Sequence, residues 1–133
     1  MRRIAALVWT SLLLVACLIP SYLLRVNESQ VHVGISHADK LVHAFLFAGF
    51  GFLWILAAPS RRGLIGVLVV GILLAALTEI GQGLPIIGRD TDPLDGLADV
   101  VGLLIGLIVG LGGVRALNGW RMRLEVGPLE EVA

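Results

Sequence analysis

Nine polar residues recur at helical spacing within or beside the apolar runs of the chain: Asp39, Lys40 and His43, then Glu79 and Gln82, then Arg89, Asp92, Asp95 and Asp99. Lys40 and His43 stand three apart, as do Glu79 and Gln82, and Asp92, Asp95 and Asp99 follow at i, i+3 and i+7. Each set therefore lines one face of a helix. A histidine beside carboxylates can act as a general base, and a carboxylate kept from water can hold and release a proton near neutral pH. The alternative is mutual pairing, with Lys40 and Arg89 neutralising carboxylates so that the set locks helices together. His43, Glu79, Asp95 and Asp99 also carry donor atoms suited to a divalent cation, but no zinc-ligand spacing such as His-Glu-x-x-His is present. No metal ligand is assigned, and no cofactor is identified.

Two other chemical patterns stop short. Gly34-Ile35-Ser36-His37-Ala38 lacks the final glycine of a nucleophile elbow, so Ser36 reads as a loop serine. Asp95-Gly96 begins like the signature of the membrane CDP-alcohol phosphotransferases, but residues 103 onward are an apolar span without the further aspartates of that signature.

The elements that must position the nine residues are membrane helices. A chain of 133 residues with 57% hydrophobic and 15% charged content and a mean hydropathy of +0.93 lies outside the range of soluble domains. Four apolar runs, 4–24, 41–58, 64–83 and 94–114, each approach the ~20 residues that cross a ~30 Å hydrocarbon core, where an isolated segment can satisfy its backbone only as a helix. Between them, Pro59-Ser60-Arg61-Arg62-Gly63 is a tight charged turn, and residues 84–93 carry two prolines, Gly88 and three charges. The expected architecture is an all-α bundle of four transmembrane helices over residues 1–115. An interfacial tail follows over 116–133, in which Trp120 lies between basic residues. A formal net charge of zero without a basic surface excludes a nucleic-acid partner.

Seven basic residues, Arg2, Arg3, Arg61, Arg62, Arg115, Arg121 and Arg123, fall on one side of this arrangement, and three, Arg25, Lys40 and Arg89, on the other. The asymmetry places both termini in the cytoplasm. Trp9, Trp54 and Trp120 map to the cytoplasmic interface and Tyr22 to the outer one, where aromatic rings are enriched. The first span has a rival reading, because Arg2-Arg3, a short apolar run and Leu14-Val15-Ala16-Cys17 resemble a bacterial lipoprotein signal. Apolar residues continue past Cys17, however, where a polar mature start is expected. Cys17 is the single cysteine, so no internal disulfide forms.

At ~1.5 Å per residue from the span ends, His43, Glu79 and Asp99 each fall about a turn inside and share one layer. Asp39, Lys40, Gln82, Arg89, Asp92 and Asp95 lie above them, towards the outer surface. Ionisable groups at this depth are costly unless paired, and stand as functional candidates by default.

In order along the chain, Asp39-Lys40-x-x-His43, Glu79-x-x-Gln82, Gly88-Arg89-x-x-Asp92-x-x-Asp95 and Gly102-x-x-x-Gly106 resemble the VanZ-like family of membrane proteins. The likeness runs from residue 39 to residue 106; the first span matches only in kind and the tail not at all. Asp99 stands where the family usually has asparagine. The resemblance implies a bacterial cytoplasmic-membrane protein, in a family named for a member associated with low-level resistance to the glycopeptide teicoplanin. An outward-facing polar layer suits the head of a lipid-linked cell-envelope component or an amphiphilic antibiotic whose tail lies in lipid. Two other classes stay open: a small hydrolase or transferase acting on a lipid-linked head group, and a proton- or ion-coupled carrier that would need an oligomer at this size.

Remaining features have packing explanations. Gly102, Gly106 and Gly110 line one helix face without side chains and let another helix approach closely, within the bundle or in a homo-oligomer. Phe45, Phe47, Phe50 and Phe52 lie on more than one face of the second span and serve lipid contact and core filling. His32 and His37 are expected in the outer loop, solvated.

Overall fold

Four helices, α1 (Arg2–Leu18), α2 (Ile35–Ala57), α3 (Arg61–Gln82) and α4 (Pro93–Glu125), make up the computed structural model. It describes residues 1–20, 23, 35–89 and 91–125, with side chains except at 35–38 and 117–125. Tyr22, Arg25 and His32, and the side chains of Trp120, Arg121 and Arg123, lie outside the described residues.

Local chemistry sets the helix ends. Helix α1 stops at Leu18, with Ile19 extended at φ −64° and ψ 127°, instead of running on to residue 24. Pro20 is the reason: it pushes the residue before it out of the helical region and supplies no N–H to continue the ladder. Seventeen residues rise about 26 Å, less than the ~30 Å expected of a full crossing. Helix α3 starts one residue after Ser60, whose Oγ accepts the Gly63 N–H at 3.0 Å, so Arg61 and Arg62 belong to the first helical turn. Helix α4 starts in the same way. Asp92 Oδ1 accepts the Leu94 N–H at 3.0 Å, and Pro93 takes the first helical position, where its missing N–H is no loss.

Two further boundaries differ from those expected of the sequence. Helix α2 begins at Ile35, so Ser36 and His37 belong to its first turn rather than to a loop. Helix α4 passes residue 116 without a break and ends at Glu125, so the expected tail begins as a continuation of the fourth helix. Three helical stretches, Asp39–Ala57, Arg61–Gln82 and Pro93–Ala116, are long and apolar enough to cross a membrane.

Helix α2 is the hub of the bundle. It packs on α1, α3 and α4, and its seam with α4 is the most extensive, whereas α1 and α4 do not meet. Along that seam the two helices run parallel in matching four-residue steps. A Cβ at Gly102 would overlap the Ala44 carbonyl, one at Gly106 the Ala48 carbonyl, and one at Gly110 the Ile55 side chain. The glycine face thus packs within the bundle and is covered by α2, so it is not a face left for a second copy.

Leu13, Phe47, Ile55 and Leu103 are fully buried along the axis. Leucine, isoleucine and valine instead dominate the outer faces, among them Leu12, Val15, Ile65, Leu73, Leu77, Ile105 and Ile108. A surface so uniformly apolar suits hydrocarbon and not water. Trp9, expected at an interface, sits near mid-height. Its ring lies where a Cβ on Gly49 would be, its Nε1 donates to the Leu46 carbonyl at 2.8 Å, and it meets Phe45 edge-on at 5.5 Å.

Candidate functional site

The nine polar residues singled out by spacing converge at one end of the bundle, and three connected groups of hydrogen bonds hold eight of them. Gly88 shapes the first. At φ 62° it adopts a left-handed conformation that an L side chain disfavours, closing the turn after α3 while its N–H donates to the Leu84 carbonyl at 3.0 Å. Arg89 then reaches back across the bundle, and its Nη2 donates to Asp39 Oδ2 at 2.8 Å.

The second group joins α2 to the start of α4. Lys40 Nζ lies 2.5 Å from Asp92 Oδ2 and 2.9 Å from Asp95 Oδ1. Asp92 therefore serves twice, capping α4 with one oxygen and holding Lys40 with the other. The Lys40 ammonium, and then the Leu94 N–H, hold its carboxyl below the usual carboxylate range. Its pairing with Lys40 is therefore kept through neutral pH and lost only on acidification through that lowered value.

The third group lies deeper and is almost fully enclosed. Gln82 Nε2 is 3.1 Å from the Cys17 carbonyl and 3.3 Å from His43 Nε2, while His43 Nδ1 is 2.9 Å from Asp99 Oδ1. Asp99 and Gln82 are each 1% exposed and His43 2%. The amide has two N–H groups, one for each neighbour, so His43 Nε2 accepts, and its ring proton sits on Nδ1 and goes to Asp99. The result is a directional chain through all four helices: the α1 carbonyl accepts from Gln82 of α3, which donates to His43 of α2, which donates to Asp99 of α4.

One member of that chain was not expected. The Cys17 carbonyl is among the last four of α1, which have no partner within their own helix. The signal was Pro20, which ends α1 early enough to free it. The Cys17 side chain is buried in the apolar core.

Glu79 is the exception. Both of its carboxylate oxygens are buried, and among the described residues no side chain donates to either; the Asp92 backbone N–H is the donor that faces it. Neither Arg89 nor Lys40 pairs with it, because both cations are held by aspartates. Asp95, His43 and Asp99 are the titratable side chains that surround it. Among the described residues, five carboxyl groups, Asp39, Glu79, Asp92, Asp95 and Asp99, face two permanent cations, Lys40 and Arg89, so this set has a surplus of acceptors.

Asp39, His43 and Asp95 each place a potential ligand atom within 4.8 Å of the other two, close enough to share one divalent cation. Asp39 was not among the donors considered for that role from sequence. Any such ion would compete with Arg89 for Asp39 and with Lys40 for Asp95.

No family model, curated protein or solved structure matches the chain.

Proposed function

We propose that this end of the bundle binds the polar head of an amphiphile whose tail lies in the surrounding lipid, and that the head is rich in hydrogen-bond donors or carries positive charge. The observation that carries the reading is Glu79. Where every other described charged side chain of the site is paired, a buried carboxylate that no described side chain satisfies costs about 1–3 kcal/mol, more if ionised, unless a proton or a ligand completes it. A head bearing amino, amide or hydroxyl groups supplies the missing donors, whereas a bare phosphate adds negative charge to an acceptor surplus. Taken with the VanZ-like resemblance, this favours an amphiphilic glycopeptide such as teicoplanin, or the sugar-bearing portion of a lipid-linked envelope precursor. In this reading α1 crosses with the other three helices, both termini are cytoplasmic, and the polar end faces outward in a bacterial cytoplasmic membrane.

A second reading draws on one contact. The Asp99–His43 hydrogen bond has the form of a carboxylate orienting an imidazole base, as a hydrolase or transferase acting on a lipid-linked head would need. His43 Nε2, the nitrogen that would take the proton, is engaged by Gln82, which weighs for binding over catalysis.

The test is Glu79→Gln, which keeps the shape and removes the charge. Glu79→Gln is expected to accumulate and melt like the parent, since no side-chain partner is lost and the amide oxygen can still accept from the Asp92 N–H, yet to give up retention of teicoplanin by the protein in nanodiscs, or tolerance in a host that displays it. Undiminished retention and tolerance in a well-folded Glu79→Gln would overturn the binding role of this residue.

A further inference from the structure

The opposite end of the bundle carries a different combination of features. Arg2, Arg3, Arg61, Arg62 and Arg115 gather there, and among the described residues none has an acidic partner. Arg2 fixes the geometry, since its Nη1 donates to the Leu56 carbonyl at the end of α2. Arg61 and Arg62 occupy the first turn of α3, where the helix dipole is already positive and acidic residues are the favoured occupants. Cations in that position are neutralised by nothing on their own helix.

Below these arginines an apolar groove of about 450 Å³ opens between α1, α2 and α3, lined by Thr10, Phe50, Trp54, Gly66, Val70 and Leu74 among others. The size falls within the ~300–1,000 Å³ typical of ligand pockets. Its polar atoms are spent internally: Trp54 Nε1 donates to Thr10 Oγ1 at 3.0 Å, and that hydroxyl donates to the Ala6 carbonyl at 2.8 Å. Nothing in it is left to hold a polar ligand. Gly66 keeps it open, because a Cβ there would meet no atom within 4 Å.

The groove and the charges are aligned. Arg62, Gly66 and Val70 follow at i, i+4 and i+8, so Arg62 stands one turn above the open glycine on the same face. From Arg62 to Leu74 the helix descends about 18 Å, close to one leaflet of a ~30 Å hydrocarbon core. We propose that this is a selective site for one anionic phospholipid, with an acyl chain in the Gly66 groove and its phosphate on Arg61 and Arg62. Basic residues capping an apolar cleft between membrane helices bind acidic lipid head groups through charge, and the chain supplies the apolar contact. The site rests on the membrane placement of the long helices and is independent of the ligand assigned to the polar end.

The experiment uses the full chain with Trp9 and Trp120 changed to Phe, leaving Trp54 in the groove wall as the only indole. It is reconstituted into vesicles carrying phosphatidylglycerol or phosphatidylcholine brominated on the acyl chain. Brominated phosphatidylglycerol is expected to quench Trp54 at lower mole fraction than the phosphatidylcholine analogue. Arg61→Gln and Arg62→Gln should each weaken that preference by about fivefold. Gly66→Leu, which fills open space with a good helix former, should abolish quenching by both lipids without loss of folding. Native mass spectrometry of the chain with all three tryptophans, titrated with the two unbrominated lipids, gives the same comparison should the tryptophan changes disturb packing. Equal quenching and retention of the two lipids would overturn the anionic selectivity. Unchanged quenching in Gly66→Leu would overturn the groove as its seat, and no quenching by either lipid would overturn the membrane placement itself.

Discussion

The amide of Gln82 has the most exacting task of any single group in the bundle, since its two N–H donors serve a carbonyl on α1 and an imidazole on α2 at once. Replacing it with methionine keeps the volume but leaves the Cys17 carbonyl and His43 Nε2 without a donor in a nearly water-free layer. Gln82→Met should therefore lose about 1–3 kcal/mol, read as an earlier thermal transition in detergent. Asp99→Asn tests the opposite expectation. Only Asp99 Oδ1 is used by His43, and an asparagine oxygen can accept the same bond, so this variant should melt within about 1 kcal/mol of the parent. A larger loss in Asp99→Asn than in Gln82→Met would show that the charge, not the hydrogen bond, holds this layer.

Among the helices, the parallel seam of α2 and α4 governs the site, because Lys40 reaches Asp92 and Asp95, and His43 reaches Asp99, only if the two backbones stay close. The atoms that a Cβ at Gly106 would strike belong to the Ala48 backbone and cannot rotate aside. Gly106→Val should force the helices apart, lower stability by about 3 kcal/mol or more and loosen the polar end with it. Gly112→Val, on the same helix but facing open space, should be nearly neutral in the same melting assay. Equal tolerance of both changes would mean that the seam is not closely packed. The glycine stripe was legible from its four-residue spacing, but spacing announces a close approach without naming the neighbour. The complementary stripe, Ala44 and Ala48, was also present in the sequence. Phe45, Phe47 and Phe50 interleave with it, so the local pattern reads as bulk and masks the small face. Pro20 was a second unused signal, and with it went both the true end of α1 and the free carbonyl that Gln82 caps.

At the scale of the whole molecule, charge and geometry now bear on the same two ends. Polar periodicity was enough to collect the nine residues, because a period of 3–4 marks a face whatever the tertiary contacts. It did not reveal which carboxylate would be left over, since that depends on which aspartates reach Lys40 and Arg89 first across the bundle. The arginine end is defined by contacts as well as by sequence: Arg2 bonds at the foot of α2 while Lys40 bonds at the head of α4, so the described arginines other than Arg89 lie opposite the polar site. If basic residues are retained on the cytoplasmic side, the polar site must face outward. A reporter fused after Ala133 should then be active only in its cytoplasmic form. A single cysteine at Thr91, in a chain with Cys17→Ala, should react in intact cells with a thiol reagent that does not cross the membrane, whereas one at Pro59 should react only after permeabilisation. The reverse pattern would place the five carboxyl groups in the cytoplasm, where an envelope precursor or an external glycopeptide head does not reach them. The ligand would then have to be sought among cytoplasmic amphiphiles, and the anionic-lipid groove would belong to the outer leaflet.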